Sequence, residues 1–456
     1  MIYNKLISDP RLPHLGAAVD VTIMLEKFQD VFKADLEQLN RKLEKCEIER
    51  LQHRYGRQGK ILYRLSGHDA SGTAFDQWFN CQMYARGKGK KTWDRLTADA
   101  GELVEVPGWQ PVSYLSELEM IVWAFPNDSG MKHMEKAIDY GQIRKNFEEQ
   151  REKLGIEDAA TIHNIRIDRI KYMPAKRCVL RLHADIDLNG KSRPLSLFSK
   201  TYNDGRSQDN YTTLEQAYTD LLGKVNIPKP VCFFPDNHTF WQEPWEGEAL
   251  IDIVDEYDWE LLFKKLGELI ATFHKCSSPN LPVAEDIDHI YLSAEKDAQK
   301  LAWILPEYKS RFDAILAILS ANKGHIQQLP TASTPVHGAL RIEQLVARGL
   351  EFAMVDFDAV GMGDPVHDVT EFIASLDYLE FTANKDPVLL QKAVKSFTES
   401  YADNVPWDLN PKKMAWLAVS FYLAKIHASV KHLEKYALDH IEIIFENIDH
   451  WLQQLD

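Results

Sequence analysis

Apolar residues near the start of the chain recur at helical spacing. Ile23, Met24, Phe28, Val31, Phe32, Leu36, Leu39 and Leu43 fall on one face of a 3.6-residue period and predict a helical segment over 20–45. The pattern then changes. Cys178-Val179-Leu180-Arg181-Leu182 alternates as a half-buried strand does, and Asn189-Gly190 supplies a tight hairpin turn after it. Tyr211 to Leu222 reads as a helix, and 131–153 as a charged helix. From about 255 the chain turns helical, with segments near 258–275, 290–325, 388–402, 411–436 and 438–455. A β-rich patch at 335–360 interrupts them, and Phe352-Ala353-Met354-Val355 in it reads as a buried strand.

The first half contains an internal repeat. Ile48-Glu49-Arg50-Leu51, Tyr55 and Tyr63-Arg64-Leu65 are matched by Ile167-Asp168-Arg169-Ile170, Tyr172 and Leu180-Arg181-Leu182. Tyr84 matches Tyr202, and Val106-Pro107 with Pro111-Val112 matches Ile227-Pro228 with Pro230-Val231. Trp123 to Gly130 matches Trp241 to Gly247. The matches keep their order at a nearly constant offset, which points to a duplication. Each copy reads as a small antiparallel sheet carrying one helix. The domain order is then a helical segment over 1–45, a repeat over 46–153, a second β-rich unit over 154–248 and an α-rich lobe over 249–456.

Composition narrows the partners. The chain has 456 residues and a net charge of −15, from 53 basic against 68 acidic residues. A broad nucleic-acid surface is disfavoured, because phosphate contacts need Lys and Arg. The five cysteines are Cys46, Cys81, Cys178, Cys232 and Cys276. They are odd in number, far apart and without a CxxC pair, so neither a disulfide framework nor a zinc site is expected. The N-terminus shows no basic start followed by an apolar core, and no apolar run is long enough for a membrane span. Reduced thiols in a cytoplasmic protein are the expectation. His427 and His432 lie five apart, wrong for a shared metal on one helix face.

The stretch from 336 to 368 carries the chemistry. It reads Val336-His337-Gly338-Ala339-Leu340-Arg341-Ile342-Glu343-Gln344, then Met354-Val355-Asp356-Phe357-Asp358, then Gly361-Met362-Gly363-Asp364-Pro365-Val366-His367-Asp368. This resembles the aminoglycoside phosphotransferase and choline kinase-like families. Their signature is H-G-D-x-x-x-x-N/Q, then I-D-F-[DEG], then G-D-P-x-x-D. The Tyr172-Met173-Pro174 to Arg181 run and Ile227-Pro228-Lys229-Pro230 are similar to the small lobe of maltokinase-type members, and Leu266 to His274 to a large-lobe helix ending in Leu-His. The resemblance spans about 160–440.

It implies an α+β protein-kinase-like fold of two lobes, preceded here by a degenerate copy of the small lobe. It also implies ATP and Mg²⁺ as cofactors and a small-molecule acceptor, such as a sugar, aminoglycoside or amino alcohol. Phosphoryl transfer needs positioned phosphates and neutralised charge more than covalent help. The resemblance assigns Asp356 and Gln344 to Mg²⁺, Lys200 to the nucleotide phosphates with Glu215 as its partner, and the Glu243-Pro244 connector to adenine. His337 and Asp368 read as structural, Asp358 as a support for the metal or a substitute base, and Glu343 as a substitute base only. The plain alternatives are a solvent-facing strand end for Asp356, a surface Gln for Gln344, an edge Lys for Lys200 and an exposed helix Glu for Glu215.

One position departs from the pattern. The family's catalytic-loop Asp is Ala339 here, and alanine cannot take a proton. A small-molecule kinase is therefore weighed against a pseudokinase that keeps the fold and binds nucleotide. Transfer of a different group from the nucleotide is a third reading. In the first copy, Gln82 stands where the second has Lys200, and Phe125 where it has Glu243. That copy is expected to lack a nucleotide site and to serve packing, capping or contact with a second chain or partner protein. Trp416 to Tyr422 reads as core rather than an acceptor box.

Overall fold

The computed structural model describes residues 2–98 and 103–455. Asp20 caps the helix Val21–Val31 by accepting from the Thr22 and Ile23 N–H groups, at 2.9 and 3.2 Å. A second helix, Lys33–Gln38, follows. The helical reading of 20–45 stops there. Asn40 turns left-handed at φ 49°, and Arg41–Arg54 is a strand. Leu43 and Cys46 are buried on it while the charged residues between them are exposed. Pairing along most of a neighbouring strand outweighs a local helical period.

Two five-stranded antiparallel sheets follow with the same internal order. The first contains β1 (Arg41–Arg54), β2 (Gln58–Asp69), β3 (Ala74–Tyr84), β4 (Val112–Leu115) and β5 (Met120–Ala124), in the order β1-β2-β3-β5-β4. The second contains β6 (Thr161–Met173), β7 (Arg177–Leu188), β8 (Lys191–Tyr202), β9 (Pro230–Phe234) and β10 (Thr239–Gln242), in the order β6-β7-β8-β10-β9. The sheets agree in detail. A register shift falls between Ile48 and Arg50 in one and between Arg169 and Lys171 in the other. Tyr84 N–H donates to Glu119 O and Tyr202 N–H to His238 O, and both acceptors are left-handed residues after a 3₁₀ turn. Ala124 N–H donates to Pro111 O, as Glu243 N–H does to Lys229 O. Asn189 and Gly190 take positive φ in a two-residue turn between β7 and β8, as their side chains favour.

The chain divides into two compact units. The first runs to Gln208 and adds Val231–Trp241 and Val430–Lys435. The second takes Asp209–Pro230, Gln242–Ser429 and the stretch from Tyr436. The boundary read at 153/154 therefore falls inside one unit. The physical reason is a shared core, in which Leu62, Trp78 and Phe125 join Leu180, Leu182 and Trp241. The boundary at 248/249 also shifts, because the helix Arg206–Leu221 and the connector after β10 group mainly with the helical unit.

The second unit is mostly helical. Trp259–His274 packs closely on Pro387–Asp403, where a Cβ on Gly267 would lie 2.6 Å from Phe397 O. The helix read over 290–325 is two, Ile287–Ile304 and Lys309–Gln328, because Pro306 breaks it. That read over 411–436 ends at His432, with Leu433 left-handed. In the first unit, 131–153 likewise splits into Met134–Ile138 and Tyr140–Glu149, the second capped by Asp139. Short strands complete the helical unit: β11 (Glu248–Ala249), β12 (Thr334–Val336), β13 (Leu345–Arg348), β14 (Glu351–Met354) and β15 (Gly361–Gly363). Among the described residues, no helix is long and apolar enough to cross a membrane.

Candidate functional site

Two strand pairs hold two loops in the helical unit. β12 pairs with β15 and β13 with β14, both antiparallel. Residues 337–344 connect β12 to β13, and 355–360 connect β14 to β15, so both loops leave one scaffold. Leu345 lies opposite Met354, and beyond that pair the Val355 N–H donates to Gln344 O at 2.9 Å. The backbone of Gln344 is thus fixed one residue from Asp356. Gln344 is buried and Asp356 half-buried. Asp356 holds φ 67°, ψ 54°, a left-handed conformation rare for a residue with a Cβ and most tolerable for Asp and Asn. Asp358 is half-buried in the 3₁₀ turn that follows. Glu343 is exposed.

A buried carboxylate pins the first loop. Asp368 sits in the first turn of the helix Pro365–Asp377 and is fully buried. It accepts from the His337 N–H at 2.5 Å, the Gly338 N–H at 2.9 Å and His274 Nε2 at 3.2 Å. His274 Nδ1 meets the Tyr401 hydroxyl at 2.8 Å, which also accepts from Trp407 Nε1 at 3.1 Å. Burial pushes the Asp368 pKa up, but the hydrogen bond from His274 and the His367 ring 3.6 Å away outweigh it and hold the carboxyl far below the carboxylate range. Asp368 therefore stays ionised and anchors the loop.

His337 is also buried and ties the two loops together. Its Nε2 donates to Val355 O at 2.9 Å, and its ring packs 5.2 Å from Phe357. Gly338 has φ 72°, and a Cβ there would lie 2.4 Å from Ala359 O. Gly338→Ala should therefore force the loops apart. The expected outcome is a loss of about 1–3 kcal/mol, read as a lower denaturation midpoint. Ala339 follows, half-buried and without a titratable group.

Asp364 caps the same helix through the Val366 N–H at 3.0 Å. Its other oxygen takes Lys413 Nζ at 2.6 Å, and Lys413 also reaches Pro330 O and Thr331 Oγ1 at 2.9 and 2.8 Å. The Lys413 side chain is only 2% exposed. Sequence reasoning missed Lys413 and Tyr401, since the Lys412-Lys413 pair reads as a solvated helix start.

The other foreseen residues fall as follows. Lys200 is buried on β8 opposite Val179, with Nζ 5.8 Å from the Phe240 ring centroid. Glu215 is exposed on the helix Arg206–Leu221, whose Leu214, Ala217 and Leu221 are buried. The two belong to different units. Glu243 is engaged by Lys229 twice, at Oε1 by Nζ at 2.7 Å and at its N–H by the carbonyl at 2.8 Å. Pro244 has no N–H, so this dipeptide can offer a base only carbonyl acceptors. In the first copy, Gln82 is buried and accepts from the Tyr84 hydroxyl at 2.8 Å, and Phe125 is buried. Among the described residues, no cluster of three His, Cys, Asp or Glu side chains could hold a metal ion. Asp356 and Gln344 supply carboxylate and amide oxygens, the donor type that Mg²⁺ takes.

Residues 192–394 match the family model described as "Phosphotransferase enzyme family". This stretch is similar to that family. It contains both loops and their anchor, Asp368. Among solved structures, the GDP complex of an aminoglycoside 2'-phosphotransferase-IIIa mutant is similar at 14% identity and TM-score 0.43, covering 69% of this chain and 97% of that one. Choline kinase LicA from Streptococcus pneumoniae is similar at 12% identity and TM-score 0.39, covering 68% and 99%. Macrolide 2'-phosphotransferase MphH from Brachybacterium faecium is similar at 14% identity and TM-score 0.40, covering 68% and 98%. No curated protein matches the chain.

A second feature of the helical unit is a cavity of about 480 Å³, lined by Asp377, Glu380, Tyr422, His450 and Trp451 among others. Trp416 and Tyr422 are fully buried, so the Trp416 to Tyr422 run packs the core, and Tyr422 also borders this cavity. Burial pushes the Asp377 carboxyl up to about 7, against a 3.4 Å hydrogen bond from the Tyr422 hydroxyl. The folded state then binds a proton that the unfolded state releases above pH ~4. Stability falls as pH rises from about 4 to 7, and the penalty is complete above 7. Asp377→Asn should raise thermal stability at pH 8, by about 4 kcal/mol as an upper bound. The gain should vanish at pH 4, which paired melting curves would show.

Proposed function

We propose that the chain binds a magnesium nucleotide, ATP, and transfers its γ-phosphoryl group to a hydroxyl of a small molecule. The observation that supports this reading is the Val355–Gln344 hydrogen bond, which ties the backbone of Gln344 to the residue before Asp356, in loops braced by His337 and Asp368. Asp356 and Gln344 would hold Mg²⁺, which neutralises phosphate charge when bound. Asp358 would support the metal site from the same turn. Lys200 keeps a phosphate-binding role as a separate expectation. The acceptor is a sugar or amino alcohol.

A pseudokinase is the second reading, and one observation favours it: Ala339 offers no base. The test is Mg²⁺-dependent binding of ATP to wild type and to Asp356→Ala. Turnover over a panel of hydroxyl acceptors then separates a kinase from a nucleotide-binding protein.

A further inference from the structure

The 480 Å³ cavity of the helical unit has no part in the chemistry proposed above, and its volume falls in the range of small-ligand sites. It lies between four helices, Pro365–Asp377, Pro387–Asp403, Pro411–His432 and Ile441–Leu452. None of its lining residues belongs to the 337–344 or 355–360 loop. Asp377 ends the helix whose first turn contains Asp368, so the two carboxylates stand about 14 Å apart along its axis. The cavity is a different place from the proposed metal site.

Its lining joins negative charge to apolar surface. Ile373, Leu390 and Tyr422 are buried, and Trp451 is half-buried. Asp377 and Glu380 are both half-buried, and Glu380 adds its repulsion to the burial that pushes the Asp377 carboxyl up. The unpaired carbonyls at the helix C-terminus bring further negative charge to Asp377. Nearby cations are engaged elsewhere. Lys425, which pulls the other way, donates to Ser375 Oγ at 2.8 Å and lies over the Tyr378 ring. Lys395 is exposed and faces Glu399 at 3.8 Å, and His450 is exposed at the rim. The Tyr422 hydroxyl reaches Asp377 at 3.4 Å and also engages Asn447. Among the described residues, no side chain forms an ion pair with Asp377 or Glu380. Asp377 thus costs the free protein stability above pH 7, which suits a group that serves a ligand better than one that serves the scaffold.

We propose that this cavity binds a small organic cation, a primary ammonium on an apolar body. The ammonium donates to the Asp377 and Glu380 carboxylates, and the body packs against Ile373, Leu390 and Trp451. Affinity comes from charge-assisted hydrogen bonds and from relief of the repulsion between the two acids. The ligand needs no hydroxyl, and this inference does not depend on phosphotransfer.

The test is calorimetric titration of the full chain at pH 8 with 2-phenylethylammonium, which has no hydroxyl to phosphorylate. Wild type should bind it about tenfold or more tightly than 2-phenylethanol, which keeps the body and lacks the charge. Asp377→Asn and Glu380→Gln should each weaken binding of the ammonium about tenfold or more. Asp377→Asn should melt no lower than wild type at this pH, so its loss of binding is not a loss of fold. Glu380→Gln, on the short helix Leu379–Thr382, remains informative where the first variant fails to fold. Asp313→Asn, on an exposed residue of the helix Lys309–Gln328, should leave binding unchanged. Binding should also persist in Asp356→Ala without Mg²⁺ or nucleotide, which separates this site from the proposed metal site. No binding by wild type, equal affinity for the alcohol, undiminished binding by a folded acid variant, or loss of binding in Asp356→Ala overturns the proposal.

Discussion

Replacing Ala339 by Asp raises phosphoryl transfer to a hydroxyl acceptor by about 10²- to 10⁴-fold. The substitution places a carboxylate in a loop that is already fixed, because Asp368 holds the two preceding N–H groups and Gln344 is bonded to Val355. Ala339 is half-buried, so the added atoms have an outlet toward solvent. General-base help sets the size of the gain, and a loose transition state places it toward the lower end. Steady-state ATP turnover with a panel of sugars and amino alcohols measures it. Wild-type turnover already as fast as the variant's would show that another group, such as Asp358, takes the proton. It would also rule out the pseudokinase reading.

Asp368→Ala destabilises the helical unit by about 3–5 kcal/mol. The carboxylate is fully buried and serves two backbone N–H groups and His274 together. Removing it strands those donors and frees the start of the 337–344 loop. The expected shift is a melting point lower by roughly 10 °C. The sign of the pH dependence follows from the depressed carboxyl. Its stabilisation is fully present above the unfolded value near pH ~4, and is lost only as pH falls toward the much lower folded value. The gap between wild type and Asp368→Asn should narrow below pH ~4, and it should also shrink as pH rises past the raised pKa of His367, which Asp368 helps to keep charged. A gap that stayed full below pH ~4 would mean that the carboxyl is not held ionised there.

Local chemistry explains which elements were legible in the sequence. Asn189-Gly190 and the alternation of Cys178–Leu182 specify their hairpin directly, since both signals act within a few residues. The order His337 to Asp368 was legible for a similar reason, as its spacing maps onto two short strand pairs. Features set by distant pairing were not. Leu43 fits a helical period, yet it lies on β1 because β2 supplies a long ladder. Lys413 and Asp364 are 49 residues apart, and His274 and Asp368 are 94 apart. Nothing local marks such partners. Glu243 was read as a connector, but its engagement by Lys229 depends on the pairing of β9 and β10. The two sheets agree in strand order and in the place of one register shift, while their shared core explains why they do not separate into two units.

The most direct measurement is calorimetric titration of wild type and Asp356→Ala with ATP, with and without Mg²⁺. The account predicts that Mg²⁺ strengthens ATP binding by wild type and that Asp356→Ala abolishes this gain while its melting point stays near that of wild type. Mg²⁺-dependent binding that survives the substitution, or wild-type affinity that Mg²⁺ does not change, would contradict it.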